Sequence, residues 1–71
     1  MKLYFVTYDH LINGKYHQKT ARFFARNAKD AKDQIKYNYY QELYVLQYKG
    51  HSVAQAHKIA RYPFHIEAVR L

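Results

Sequence analysis

Apolar and aromatic residues gather in two early runs: Leu3, Tyr4, Phe5, Val6, Thr7 and Tyr8, then Tyr16, Thr20, Phe23 and Phe24. Their β-branched and aromatic character predicts strands between Lys2 and Ala25. Asn13-Gly14 lies between the runs. Both residues tolerate the positive φ of a type I′ turn, so the segment reads as a β-hairpin. A two-residue loop pairs Ile12 with Lys15, and sets Tyr8 against Lys19, Val6 against Ala21 and Tyr4 against Phe23. One face then carries Tyr4, Val6, Tyr8, His10, His17, Lys19, Ala21 and Phe23; the other carries Leu3, Phe5, Thr7, Leu11, Tyr16, Thr20, Arg22 and Phe24. The second set is the better core face, with Arg22 snorkelling at its edge. A longer loop or a bulge around Asp9 to Asn13 would shift the register and exchange the faces.

Asn27 is a good N-cap, and Asp30 three residues later suits both a partial capping box and the helix dipole. Ala28, Ala31 and Ile35 then form a narrow apolar stripe whose small residues permit close approach to a sheet. Residues 37–48 admit two structures. As a helix, Tyr39, Leu43 and Leu46 prolong the first stripe, and Tyr37, Tyr40, Tyr44 and Tyr48 form a second; as a strand, Leu43 to Tyr48 has ample β-propensity. No Gly or Pro interrupts the run before Gly50, which favours a long helix ended by Lys49-Gly50. Ser52 caps a second, short helix with Val53, Ala56, Ile59 and Ala60 inward, and Pro63 ends it. The tail alternates Phe64, Ile66 and Ala68 against His65, Glu67 and Val69, as a final strand would. The expected architecture is a two-layer α+β fold in the order β-β-α-α-β, with helices packed on one face of a three-stranded sheet.

Composition narrows what such a fold can be. The 71 residues allow one domain and one core. There is no Cys, so neither a disulfide framework nor a thiolate metal site is possible, and a cytoplasmic setting fits best. The start, MKLYFVTYDH, meets Asp9 after a very short apolar run and does not read as a signal peptide. No apolar stretch nears the roughly 18 residues that cross a bilayer. Nine Tyr and four Phe are the visible substitute for staples, since each aromatic buries on the order of 150–250 Å².

Twelve Lys and Arg against five Asp and Glu leave a formal charge of +7. Residues 1–26 hold Lys2, Lys15, Lys19, Arg22 and Arg26 against Asp9. Residues 49–71 hold Lys49, Lys58, Arg61 and Arg70 against Glu67, while residues 27–48 cancel. A terminal strand usually pairs with a hairpin strand, so the two basic segments should meet in one sheet and pool their charge. Such a field attracts phosphate backbones or acidic proteins; the absence of a basic amphipathic helix with a bulky apolar face argues against a membrane surface. Tyr4 and Tyr8 beside His17 and Lys19 suggest a face that stacks bases while Lys2, Lys15, Lys19, Arg22 and Arg26 hold phosphate, extended by Lys58, Arg61 and Arg70. The leading expectation is therefore a non-enzymatic domain binding DNA or RNA. The rival is a protein-interaction module docking on an acidic partner, as a homodimer in one version, with the tyrosines at 37, 40, 44 and 48 as its interface.

Catalysis finds little support. His10 and His17 sit opposite one another in the two-residue-turn register, but Asp9 points to the other face, His51 and His57 do not share a helical face, and His65 stands alone on the last strand. A closed zinc site wants four ligands, and no motif supplies them. The only glycines are Gly14 and Gly50, so there is no nucleotide-binding loop, and the only serine, Ser52, is read as a helix cap. No catalytic residue, metal or cofactor is expected. The strand–Asn-Gly–strand opening followed by ARNAKDAK resembles small proteins carried by phages and mobile elements of Gram-positive bacteria, over about the first 35 residues and the closing strand. That resemblance, one of style, implies no function of its own, though it favours a non-enzymatic binder or an inhibitor of a host protein.

Overall fold

A computed structural model describes all 71 residues. Two eleven-residue strands, β1 (Lys2–Ile12) and β2 (Lys15–Ala25), form the hairpin. Its turn is the expected one: Asn13 and Gly14 have φ of 52° and 77°, and Ile12 faces Lys15. The register therefore runs as the two-residue loop requires, through Tyr8 opposite Lys19 and Val6 opposite Ala21 to Tyr4 opposite Phe23. Helix α1 (Ala28–Tyr48) follows, then α2 (Val53–Ile59) and strand β3 (Phe64–Arg70). The last strand pairs antiparallel with β1, giving the order β2-β1-β3 and bringing the first and last thirds of the chain side by side.

Local signals account for each helix boundary. The Asn27 side chain accepts the Asp30 backbone N–H at 2.8 Å, and the Asp30 carboxylate reaches back to the Arg26 N–H at 3.0 Å, one residue before the cap. Residues 37–48 are helical throughout. At the far end Gly50, with φ of 103°, lets its own N–H bond the Gln47 carbonyl while the His51 N–H bonds that of Leu46, a Schellman closure. Ser52 and Gln55 complete a reciprocal capping box at the start of α2.

The core lies on the face opposite to the one expected. Tyr4 and Val6 are buried with Ala25, Ala31 and Ile35, and Tyr8, Ala21, Phe23, Ile66 and Ala68 pack around them. Leu3, Phe5, Thr7, Tyr16, Thr20, Arg22 and Phe24 form the open face instead. The reason becomes visible only when β3 is added. Val6 stands between Ala21 on one side and Ala68 on the other, so three small or slim residues in a row make a seat for the alanine stripe of α1. On the other face Phe5 stands between Arg22 and Val69, and Thr7 between Thr20 and Glu67. A helix there would bury a guanidinium and a carboxylate, each a costly loss of hydration.

Helix α2 reaches the sheet layer only through α1. Tyr39 and Leu43 bury Ala56 and Ala60 between them, with Leu46 alongside. Val53 and Ile59, expected inward, are about half exposed. Seven residues make two turns, and the two alanines alone suffice for close contact with α1. Val6 is the only large side chain wholly out of water. Val6→Ala should therefore cost about 2 kcal/mol, a large part of so small a domain's stability. Val69→Ala on the open face should fall within about 0.5 kcal/mol of the parent when both are measured as dilute monomers. Denaturant midpoints of the two variants measure the difference, and equal midpoints would contradict the assignment of faces.

Candidate interaction surfaces

Three surfaces carry the chemistry of this chain: a cleft between sheet and helix, the outer side of α1, and the open face of the sheet. The cleft, about 140 Å³, is lined by Tyr8, His10, Asn38, Tyr39, Glu42 and Arg61, among others. Residues of even number on β1 point toward the helices, which places Tyr8 and His10 there. Arg61 is fixed in the α2–β3 connection by a 3.2 Å bond from its guanidinium to the Leu11 carbonyl. Burial first, and then the charges of Lys19 and Arg61, hold the His10 imidazole below its ordinary range, with Glu42 opposing them weakly. Lys19 and Arg61, from opposite ends of the sequence, thus share one positive region.

The remaining expected phosphate contacts do not join it. Tyr4 is only 6% exposed and packs in the core, so it cannot stack a base. Tyr8 is half-buried against the same core. Lys2 and Lys15 lie at opposite ends of β1 and β2, and Arg70 pairs across from Tyr4, near the Lys2 end. Arg22 points to the open face, away from Lys19. Arg26 sits 3.6 Å from the Asp30 carboxylate at the start of α1, and Lys58 is in the last turn of α2. The cations are spread over both faces and both ends, although β3 does lie against β1.

The second surface is the tyrosine row. Ala31, Ile35, Tyr39 and Leu43 are the buried side of α1. At 100° per residue, Tyr37, Tyr40, Tyr44 and Tyr48 fall on the side away from the sheet. All four are exposed, Tyr44 to 75% and Tyr48 to 88%. Tyr37, Tyr40, Gln41, Tyr44 and Val45 enclose a shallow groove of about 350 Å³, and Gln41 donates to the Tyr37 hydroxyl at 3.0 Å. The neighbouring Tyr39 serves a different end. Its hydroxyl meets His57 Nδ1 at 2.9 Å and joins α1 to α2, and burial pushes its pKa up, with Tyr40 and Tyr62 adding to the shift.

On the open face a hydrogen bond joins two side chains far apart in the chain. His65, expected to stand alone, places Nδ1 2.9 Å from the Asp9 carboxylate, with its ring 4.9 Å from that of Tyr16. A β-bulge makes this contact. The register slips between Thr7 and Asp9, His65 takes a φ of 54°, and Phe64 comes opposite Asp9. Edge-to-face contacts continue from Tyr16 through Phe64 and Tyr62 to Tyr39, wrapping the β3 edge from one layer to the other. His10 and His17 are cross-strand partners, and no group of three or more His, Asp or Glu side chains is placed to hold a metal ion. No helix is long and apolar enough to cross a membrane. Comparison with known protein families, curated proteins and solved structures finds no match to this chain.

The His10 environment makes a pH prediction. A histidine whose folded pKa lies below its unfolded value favours the folded chain while neutral. That contribution is complete above the ordinary histidine pKa of about 6.5 and is lost as pH falls through the lower folded value. His10 should titrate below the usual range by NMR, and Lys19→Gln or Arg61→Gln should raise its midpoint without fully restoring it, because burial is the larger cause. A normal midpoint in the parent chain would exclude the positive region described here.

Proposed function

We propose that the protein is a small non-enzymatic interaction module that docks the tyrosine face of α1 on an acidic partner protein, in a cytoplasmic setting. One observation carries this reading: four tyrosines stand exposed in a row, opposite the buried side of their helix, around a groove. Tyrosine offers a large apolar ring at low entropic cost together with a polar tip, and for that reason it is enriched where proteins meet. The formal charge of +7 favours an acidic partner and speeds the encounter. A tagged chain should capture a protein from nuclease-treated cell lysate, and Tyr40→Ala with Tyr44→Ala should reduce the capture about tenfold or more while leaving the fold intact. Capture that disappears with nuclease, or that ignores both substitutions, would overturn the proposal.

The convergence of Lys19 and Arg61 beside His10 favours a second reading, a nucleic-acid-binding accessory role. Phosphate would be held by those cations, while Tyr4 plays no part. Fluorescence anisotropy with single- and double-stranded oligonucleotides should then show binding that weakens steeply with salt, and further with Lys19→Glu or Arg61→Glu. No binding in low salt at tens of micromolar would dispose of it.

A further inference from the structure

We propose that the open face of the sheet is the seat of a second copy of this chain, packed face to face about a two-fold axis along β1. The face is apolar at the end that holds Leu3 and Phe5. Leu3 pairs with Phe24, and Phe5 stands beside Val69, with Phe24 and Val69 each 61% exposed. Eleven residues each in β1 and β2 and seven in β3, at about 3.3 Å per residue and 4.8 Å between strands, make about 450 Å² of flat sheet per copy. Two copies then cover about 900 Å² before side-chain relief is counted, just under the ~1,000 Å² that a specific interface should clear.

Charge selects the occupant. The excess of cations lies elsewhere, and charged side chains on this face are few: Asp9, hydrogen-bonded by His65, with Arg22 on β2 and Glu67 on β3. Neither of the last two has an ion partner in its own chain. An acidic ligand would find one cation here and an opposing carboxylate. A second copy finds complementarity. Rotation about β1 lays β2 of one copy over β3 of the other, so Arg22 approaches Glu67 with an offset of two residues, about 7 Å, within reach of the long arginine side chain. The pair forms twice, as an isologous contact requires. A chain with ten buried residues of 71 and no disulfide also gains a thicker core from the sandwich.

Analytical ultracentrifugation from about 5 to 500 µM tests this with folding followed by circular dichroism. The parent chain should pass from monomer to dimer. Arg22→Glu sets carboxylates against Glu67, Glu67→Arg sets guanidiniums against Arg22, and each variant alone should dimerise at least tenfold more weakly. Mixed in equal amounts, the two should recover a heterodimer of near-parental affinity, because both cross pairs become attractive. Should either charge variant fail to fold, Phe24→Ala at its exposed position carries the test, with the fold kept and the dimer weakened about tenfold. A parent chain that stays monomeric at 500 µM overturns the proposal, as do folded variants that fail to recover on mixing. A dimer abolished by Tyr44→Ala but not by Phe24→Ala would place the second copy on α1 and also overturn it, whereas loss of lysate capture alone leaves this face untouched.

Discussion

The fold depends on how closely α1 can approach the sheet. Val6, flanked by Ala21 and Ala68, makes a shallow row of small side chains across all three strands, and Ala28, Ala31 and Ile35 settle on it. Small residues on both sides bring backbones together, so that few large side chains are needed to exclude water. The arrangement leaves most of the aromatic surface unspent. With the alanines inside, Phe24, Tyr37, Tyr40, Tyr44 and Tyr48 stay outside. Alanines fill much of the core beside Tyr4, Ile35, Tyr39 and Leu43, and large apolar side chains are left on the surface.

The two uncovered apolar surfaces differ in kind. The outer side of α1 is a row of exposed tyrosines around a shallow groove. The open sheet face is flatter, contains phenylalanine and aliphatic side chains, and carries one cation and one anion on opposite edge strands. The positive charge belongs to neither. Arg61 lines the cleft between the layers beside His10, and Lys19 acts on the same imidazole from β2. The positive region around His10 and the exposed apolar surfaces are thus separated in space.

Much of this was legible along the chain because the signals were local. Asn13-Gly14 set the turn and hence the whole β1–β2 register; Asn27, Gly50 and Ser52 marked helix ends through hydrogen bonds made within a few residues; and the 3.6-residue spacing separated Tyr39 and Leu43 from the tyrosine row. The core face was misjudged because the hairpin alone puts more large apolar residues beside Arg22. The decisive neighbours, Ala68 and Glu67, come from more than forty residues later. Tyr4 and Tyr8 changed roles for the same reason. Val53 and Ile59 have a helical spacing that suits burial, but no third layer exists to cover them.

Periodicity, caps and turn chemistry in the sequence alone determined the elements, their order and the tyrosine side of α1, since each rests on contacts between residues close in the chain. Tertiary structure alone decided which side of the sheet the helix covers, how the cations divide, and that His65 meets Asp9. Those outcomes depend on the pairing of β3 with β1 and on a one-residue bulge within it, and neither has a local energetic signature.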